Sequence, residues 1–130
     1  MTNSLWLTDK VWSDNDGAFD VQNAPTAYTG TTVTLTIADL RSKIITSTNA
    51  SAVGFTLPTG ALTDASFNTL PVGGSFDWSI INLGSSSGAV TINAGTAHTY
   101  VGSATVAIAT SALFRTRKTA TNTYVTYRIG

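Results

Sequence analysis

The sequence contains no cysteine and no glutamate, one histidine, one glutamine and three prolines. Without cysteine the chain forms no disulfide, no thiolate nucleophile and no cysteine-ligated metal site, and no compartment is implied. A single imidazole, His98, supplies neither a zinc-binding cluster nor a histidine pair that relays protons. Without glutamate, a paired-carboxylate hydrolase would have to be built from aspartates alone. Charge is scarce as well. Lys and Arg number 7, Asp and Glu number 7, and charged residues make up 11% of the chain, against roughly a quarter in ordinary soluble domains. A neutral chain lacks the basic excess of a phosphate-binding surface, so no nucleic-acid partner is expected. No apolar run approaches the ~18 residues of a membrane-spanning helix, so no membrane partner is expected. Met1 to Leu7 also lacks the basic stretch and apolar core of a signal peptide.

What remains is 24 Thr and 13 Ser among 130 residues, with 42% hydrophobic residues that include 3 Trp, 4 Tyr and 5 Phe. That is enough apolar content to exclude a disordered chain, and the length suits one domain. A neutral surface gives little colloidal repulsion, which a protein that associates can tolerate.

The first thirty residues differ from the rest. Asp9, Asp14, Asp16 and Asp20 lie here, with Trp6 and Trp12. Ser13-Asp14-Asn15-Asp16-Gly17 and Asn23-Ala24-Pro25-Thr26 are turn signals, and no helical or strand period is sustained. Residues 1–30 therefore read as an extended N-terminal arm that hides its tryptophans against its own domain or another chain, with a β-domain over 31–130.

Strand signals begin at residue 31. Val33, Leu35 and Ile37 alternate with Thr32, Thr34 and Thr36, and Ala38-Asp39-Leu40-Arg41 allows at most one helical turn. Strand-like runs follow at 43–48 and 53–57, then a short surface helix after Pro58 that Pro71 prevents from continuing. Phe76, Trp78 and Ile80 share one face of a strand over Ser75 to Asn82, and further runs lie at 89–93, 97–101, 105–109, 112–118 and 123–129. About nine short strands with turns every 8 to 12 residues predict an all-β fold, an antiparallel, jelly-roll-like β-sandwich.

The final two strands invite a register. With Thr119 to Asn122 as the loop, Lys118 pairs with Thr123, Arg117 with Tyr124 and Arg115 with Thr126. One face then carries Arg115, Arg117, Tyr124, Thr126 and Arg128; the other carries Ala112, Phe114, Thr116, Val125, Tyr127 and Ile129 and is core-like. The arginine face is either a solvated exterior or an interface that meets acidic or carbonyl-rich neighbours.

Candidate chemistry is sparse. His98 reads as an ordinary strand or loop residue, and Val72-Gly73-Gly74-Ser75-Phe76 lacks the second glycine of a nucleophile elbow. Asp14-Asn15-Asp16-Gly17 is a calcium-loop fragment with Trp12 at the opening acidic position and no closing glutamate, so it reads as a turn. The threonine ladder Thr32, Thr34, Thr36 would need repetition on neighbouring strands to form an ice-binding plane, and only one strand carries it. No enzyme activity, cofactor or metal is expected. The candidate interface residues are Trp6, Trp12, Tyr28, Arg115, Arg117 and Arg128.

Three stretches carry a resemblance: Phe55-Thr56-Leu57-Pro58-Thr59-Gly60-Ala61-Leu62, Val72 to Asn82 with its V-G-x-S-F-x-x-x-I-x-N form, and Phe114-Arg115-Thr116-Arg117-Lys118-Thr119 before Tyr127-Arg128. Over residues 53–130 the chain resembles virion proteins of tailed bacteriophages and looks like the capsid decoration, or cement, family. That resemblance implies a small β-sandwich without catalytic residues. It would form a homotrimer on the outer capsid surface, bound to the major capsid protein and assembled in the host cytoplasm. A head- or tail-fibre domain that binds carbohydrate is the rival reading.

Overall fold

The computed structural model describes residues 20–130. The elements run β1 (Thr26–Tyr28), β2 (Thr32–Thr34), α1 (Ile37–Ser42), β3 (Ile44–Ser47), β4 (Val53–Thr56), α2 (Gly60–Ser66), β5 (Ser75–Asn82), β6 (Val90–Asn93), β7 (His98–Val101), β8 (Thr105–Val106), β9 (Ser111–Ala120) and β10 (Thr123–Arg128). They form a larger sheet in the order β1-β3-β5-β9-β10-β7 and a smaller one in the order β2-β4-β6-β8. Within these, β1, β3 and β5 are parallel neighbours, as are β2, β4 and β6. The chain thus winds through three turns, each placing one strand in each sheet, with α1 and α2 on the return paths. The β9–β10 hairpin then pairs antiparallel with β5, β8 pairs antiparallel with β6, and β7 lies parallel to β10.

The expected antiparallel, jelly-roll-like sandwich is therefore wrong. Two mostly β sheets do face each other, but their ladders are mixed parallel and antiparallel. The error has a physical origin. Residue alternation reveals which face of a strand is buried but not which strand lies beside it. Strands of three or four residues joined by short turns look like hairpins in sequence, whereas here loops 29–31, 48–52 and 83–89 each cross to the opposite sheet. The expected arm also loses its last part to the fold, because Thr26–Tyr28 forms β1 at the edge of the larger sheet. Residues 1–19 of the arm, Trp6 and Trp12 included, lie outside the described residues.

Local chemistry explains the boundaries. The strand expected to run to Ile37 ends at Thr34 because Thr36 caps α1. Its hydroxyl accepts from the Asp39 N–H at 3.2 Å, and the Asp39 carboxylate accepts from the Thr36 N–H at 2.8 Å, a reciprocal capping box. Lys43, at φ 71°, ends the helix in the left-handed region. For α2 the cap is Thr59, whose hydroxyl accepts from the Leu62 N–H at 3.1 Å. Gly60 opens α2 where a Cβ would collide with the carbonyl oxygens of Asn122 and Ala97. No larger residue fits between the helix and the two turns it packs against.

One core lies between the sheets. Val33, Phe55, Val90 and Ile92 of the smaller sheet meet Ile45, Trp78, Ile80 and Phe114 of the larger one. Trp78 is 1% exposed and stacks on Phe114 at 4.6 Å between ring centroids. Burial of each large side chain contributes about 1.5–3 kcal/mol.

The terminal hairpin differs from its expected register by one residue. Only Thr121 and Asn122 turn the chain, and a bulge beside Thr123 shifts the ladder. Tyr124 lies opposite Lys118, Val125 opposite Arg117, Thr126 opposite Thr116 and Tyr127 opposite Arg115. A one-residue slip exchanges the faces of a strand. Tyr124 and Thr126 are accordingly buried with Phe114 and Thr116, while Val125 and Tyr127 sit with Arg115 and Arg117 on the outer face.

Gly60→Ala is expected to lower stability by about 1–3 kcal/mol, read as a lower urea midpoint, because the added methyl overpacks a backbone junction. Gly30→Ala, where the nearest atom is Val33 Cγ2 at 3.8 Å, is the matched control and is expected to leave the midpoint unchanged.

Candidate functional site

The outer face of the larger sheet collects the chain's available chemistry. Across β5 and β9, Ser75 stands opposite Arg117, Asp77 opposite Arg115, Ser79 opposite Leu113 and Ile81 opposite Ser111. The Arg115 guanidinium donates through Nε to Asp77 Oδ1 at 2.7 Å and through a second nitrogen to Oδ2 at 2.9 Å. This two-point pair holds the Asp77 carboxyl below its usual range. Lys43 Nζ donates to the Asp77 carbonyl at 3.1 Å. Arg117 makes no ion pair with any described residue.

The two ends of this face differ. At one end Leu113 and Ile129, linked through their backbones, are 42% and 45% exposed, and Ile81 lies diagonally beside Leu113. At the other end Arg117 stands opposite Ser75, while cations and aromatic rings alternate on the inward side of the sheet, where Phe76 shares the parity of Trp78 and stands opposite Thr116. Arg41 lies 4.1 Å over Phe67, Phe67 stacks on Phe76 at 4.3 Å, and Lys43 Nζ sits 5.5 Å over Phe76. The described residues enclose no pocket and bring together no group of three potential metal ligands.

The candidate interface residues do not form one cluster. Arg115 and Arg117 share the outer face. Arg128 has the opposite parity, across from Phe114, and donates to the carbonyls of Thr105 at 2.6 Å and Gly130 at 3.2 Å. It fastens the end of β10 to β8 of the other sheet. Tyr28 points inward, its hydroxyl donating to Asp39 Oδ2 at 2.6 Å and its ring meeting the Phe55 edge. Burial first, and then that carboxylate, push its phenol up to about 12. Trp6 and Trp12 lie outside the described residues. The threonine ladder does extend across strands, since Thr56 and Thr91 stand on the same outward parity as Thr32 and Thr34.

His98 belongs to a buried hydrogen-bond chain. The Trp78 indole N–H donates to Thr116 Oγ1 at 2.9 Å, Thr116 and Thr126 hydroxyls meet at 2.7 Å, Thr126 Oγ1 meets His98 Nε2 at 2.7 Å, and His98 Nδ1 meets the Pro58 carbonyl at 2.8 Å. The Pro58 carbonyl only accepts, so Nδ1 carries the proton, and in the neutral ring Nε2 is then an acceptor, which sets the direction of the remaining bonds. Thr116 donates to Thr126, Thr126 donates to Nε2, and the neutral Nδ1–H ring donates to Pro58.

Sequence reasoning missed a second cluster at the hairpin. Asp64 of α2 accepts from the Asn122 N–H at 2.9 Å, from the Tyr124 hydroxyl at 2.8 Å and from Lys118 Nζ at 2.7 Å. Lys118 above all, then the other two donors, hold its carboxyl down at about 2. The only legible signal was an aspartate on a short helix beside a basic hairpin. The distance of 60 residues between Asp64 and Tyr124 conceals it. Asp77 was legible, since alternation around Phe76 and Trp78 sends it outward.

Burial disfavours the imidazolium, so His98 in the folded protein titrates below its ordinary value of 6.5. Between those two values the unfolded chain binds a proton and the folded one does not, so stability rises with pH across that window. Urea midpoints are expected to hold steady above about pH 7 and to fall towards about pH 5. His98→Gln is expected to be less stable throughout but flat across that range. The Asp64 contribution is present above its ordinary value of 3.8 and is lost only as pH falls through about 2.

No family model, curated protein or solved structure matches this chain.

Proposed function

We propose that this chain is a structural virion protein of a tailed bacteriophage, a capsid decoration protein. In this reading it binds the outer capsid surface as a homotrimer, contacts the major capsid protein and stabilises the junctions between capsomers. The support comes from the sequence stretches around Leu57-Pro58, Ser75 to Asn82 and Phe114 to Lys118. The observation that carries it furthest is the outer face of the larger sheet. There Leu113 and Ile129 stand exposed beside the Asp77–Arg115 pair and Arg117, on strands whose opposite side is locked into the core. Such a face combines apolar area with directed polar groups, the makeup of a protein contact surface. It is carried on rigid strands, so little ordering entropy is lost when it binds.

A trimer adds multivalency. Three linked copies convert the second and third contacts into local events, so a modest single-site affinity becomes durable occupancy. That suits a protein whose task is to bridge neighbouring capsomers under internal pressure.

Light scattering coupled to size exclusion is expected to give a mass three times 13.5 kDa; a single 13.5 kDa species overturns the homotrimer. Co-sedimentation with capsid shells of the encoding phage is expected to show saturable binding. The pair Leu113→Lys and Ile129→Lys is expected to weaken that binding at least about tenfold while the thermal midpoint is kept. Wild-type protein that stays in the supernatant sinks the decoration reading.

A further inference from the structure

The neutral chain is two oppositely charged parts. Residues 1–20 contain Asp9, Asp14, Asp16 and Asp20 against Lys10, a formal net charge of −3. Residues 21–130 contain Asp39, Asp64 and Asp77 against Arg41, Lys43, Arg115, Arg117, Lys118 and Arg128, a formal net charge of +3. Among residues 21–130 the carboxylates are already engaged. Asp64 takes Lys118, Asp77 takes Arg115 and Asp39 takes Tyr28. Arg41, Lys43 and Arg117 have no carboxylate partner of their own among the described residues. They lie at one end of the larger sheet, Arg117 on its outer face and the other two beside an aromatic stack on its inward side. Arg41 and Lys43 flank the Phe67–Phe76 stack, and Arg117 lies opposite Ser75, the neighbour of Phe76.

The described chain begins beside that end. Gln22 Nε2 donates to the Ser42 carbonyl at 2.5 Å, and Thr26 Oγ1 donates to Ser42 Oγ at 3.2 Å, so residues 22–26 run along the end of α1, next to Lys43. From Lys43, whose amine is bonded to Asp77, the outer faces of β5 and β9 are the adjoining surface. A further 19 residues could extend up to ~60 Å, far more than the ~5 Å that separates one strand from the next.

We propose that the acidic N-terminal segment, residues 1–19, docks on this outer face within its own chain. The aspartates Asp9, Asp14 and Asp16 answer Arg117 on this face and Lys43 at its edge, and Trp6 and Trp12 cover the apolar end at Ile81, Leu113 and Ile129. The occupant is chosen by charge, by reach and by the place where the described chain starts. The inference does not rest on the capsid reading, because it concerns the free protein. Where both hold, the segment covers the face that meets the capsid and has to leave it on docking.

Trp78 makes the test clean. It is buried, so in the intact protein acrylamide quenching reports on Trp6 and Trp12. In low salt, quenching is expected to be weak and independent of protein concentration. In about 1 M NaCl, where charges are screened beyond ~3 Å, it is expected to rise several-fold. Asp14→Asn with Asp16→Asn is expected to raise quenching already in low salt. Arg117→Glu with Lys43→Glu is expected to do the same, and adding Asp14→Arg with Asp16→Arg to that variant to reverse it. Strong quenching of the wild type in low salt overturns the proposal, and so does weak quenching indifferent to salt and to both variants. Quenching that grows on dilution assigns the face to another copy's segment and overturns docking within the chain. None of these outcomes depends on trimer mass or capsid binding, so either proposal can fail alone.

Discussion

The buried chain from Trp78 through Thr116, Thr126 and His98 to Pro58 is the constraint on which the rest of the larger sheet depends. It draws one group from each of β5, β9, β10 and β7 and ends on the loop before α2. Every member is buried, and none has water as an alternative partner. Breaking one link therefore leaves a neighbour unsatisfied, which costs about 1–3 kcal/mol, while the net gain from each intact bond is smaller. The chain acts more as a specification than as a source of stability. Only one register of β10 against β9 places Thr126 between Thr116 and His98. A slip by one residue would bury Val125 in its place and deprive the Thr116 hydroxyl of its acceptor and His98 Nε2 of its donor.

That register decides what the outside of the sheet looks like. Because Tyr124 and Thr126 are held inward, Val125 and Tyr127 stand out beside Arg117 and Arg115. The hairpin end is secured separately by Asp64, which gathers a backbone amide, a phenol and an ammonium in one carboxylate. Gly60 lets α2 come close enough for Asp64 to reach them. Three parallel turns of the winding chain are thus closed by an antiparallel hairpin that is tied at its core and at its tip.

Much of the local structure was legible in the sequence. Alternation around Trp78 identified β5 and its buried face, Pro58 and Pro71 bracketed α2, and the glycine-serine run at 84–88 separated β5 from β6. What was not legible depends on partners far apart in the chain. Pairing of β1 with β3 and of β3 with β5 is decided by which loop crosses between sheets, and a five-residue loop does not announce that. The hairpin register failed because the four residues Thr119 to Asn122, none of them bulky, allow more than one turn. The deciding energy lay at His98, more than twenty residues away. The capping box at Thr36 and Asp39 was present in the sequence, but the ladder Thr32, Thr34, Thr36 masked it by continuing the strand period.

Among the described residues two ion pairs divide the surface into a part that holds the fold and a part left for contact. Lys118–Asp64 is nearly buried, with side chains 12% and 13% exposed, and it shares its carboxylate with two further donors. The pair is part of the packing, and a partner could reach it only by unfolding the tip. Arg115–Asp77 is 49% and 42% exposed on a flat strand pair. An exposed pair of this kind contributes at most about 1 kcal/mol to stability, so the fold does not need it. Its two parallel bonds instead hold a guanidinium flat on the sheet, between an apolar end and a cationic one. Any partner that covers this face must leave the pair intact or replace both bonds. A partner that can do neither pays the desolvation of a buried, unmatched charge. Arg117 has no such tie among the described residues and can turn towards an acidic partner. The face therefore favours ligands that bring their own carboxylates and aromatic rings together.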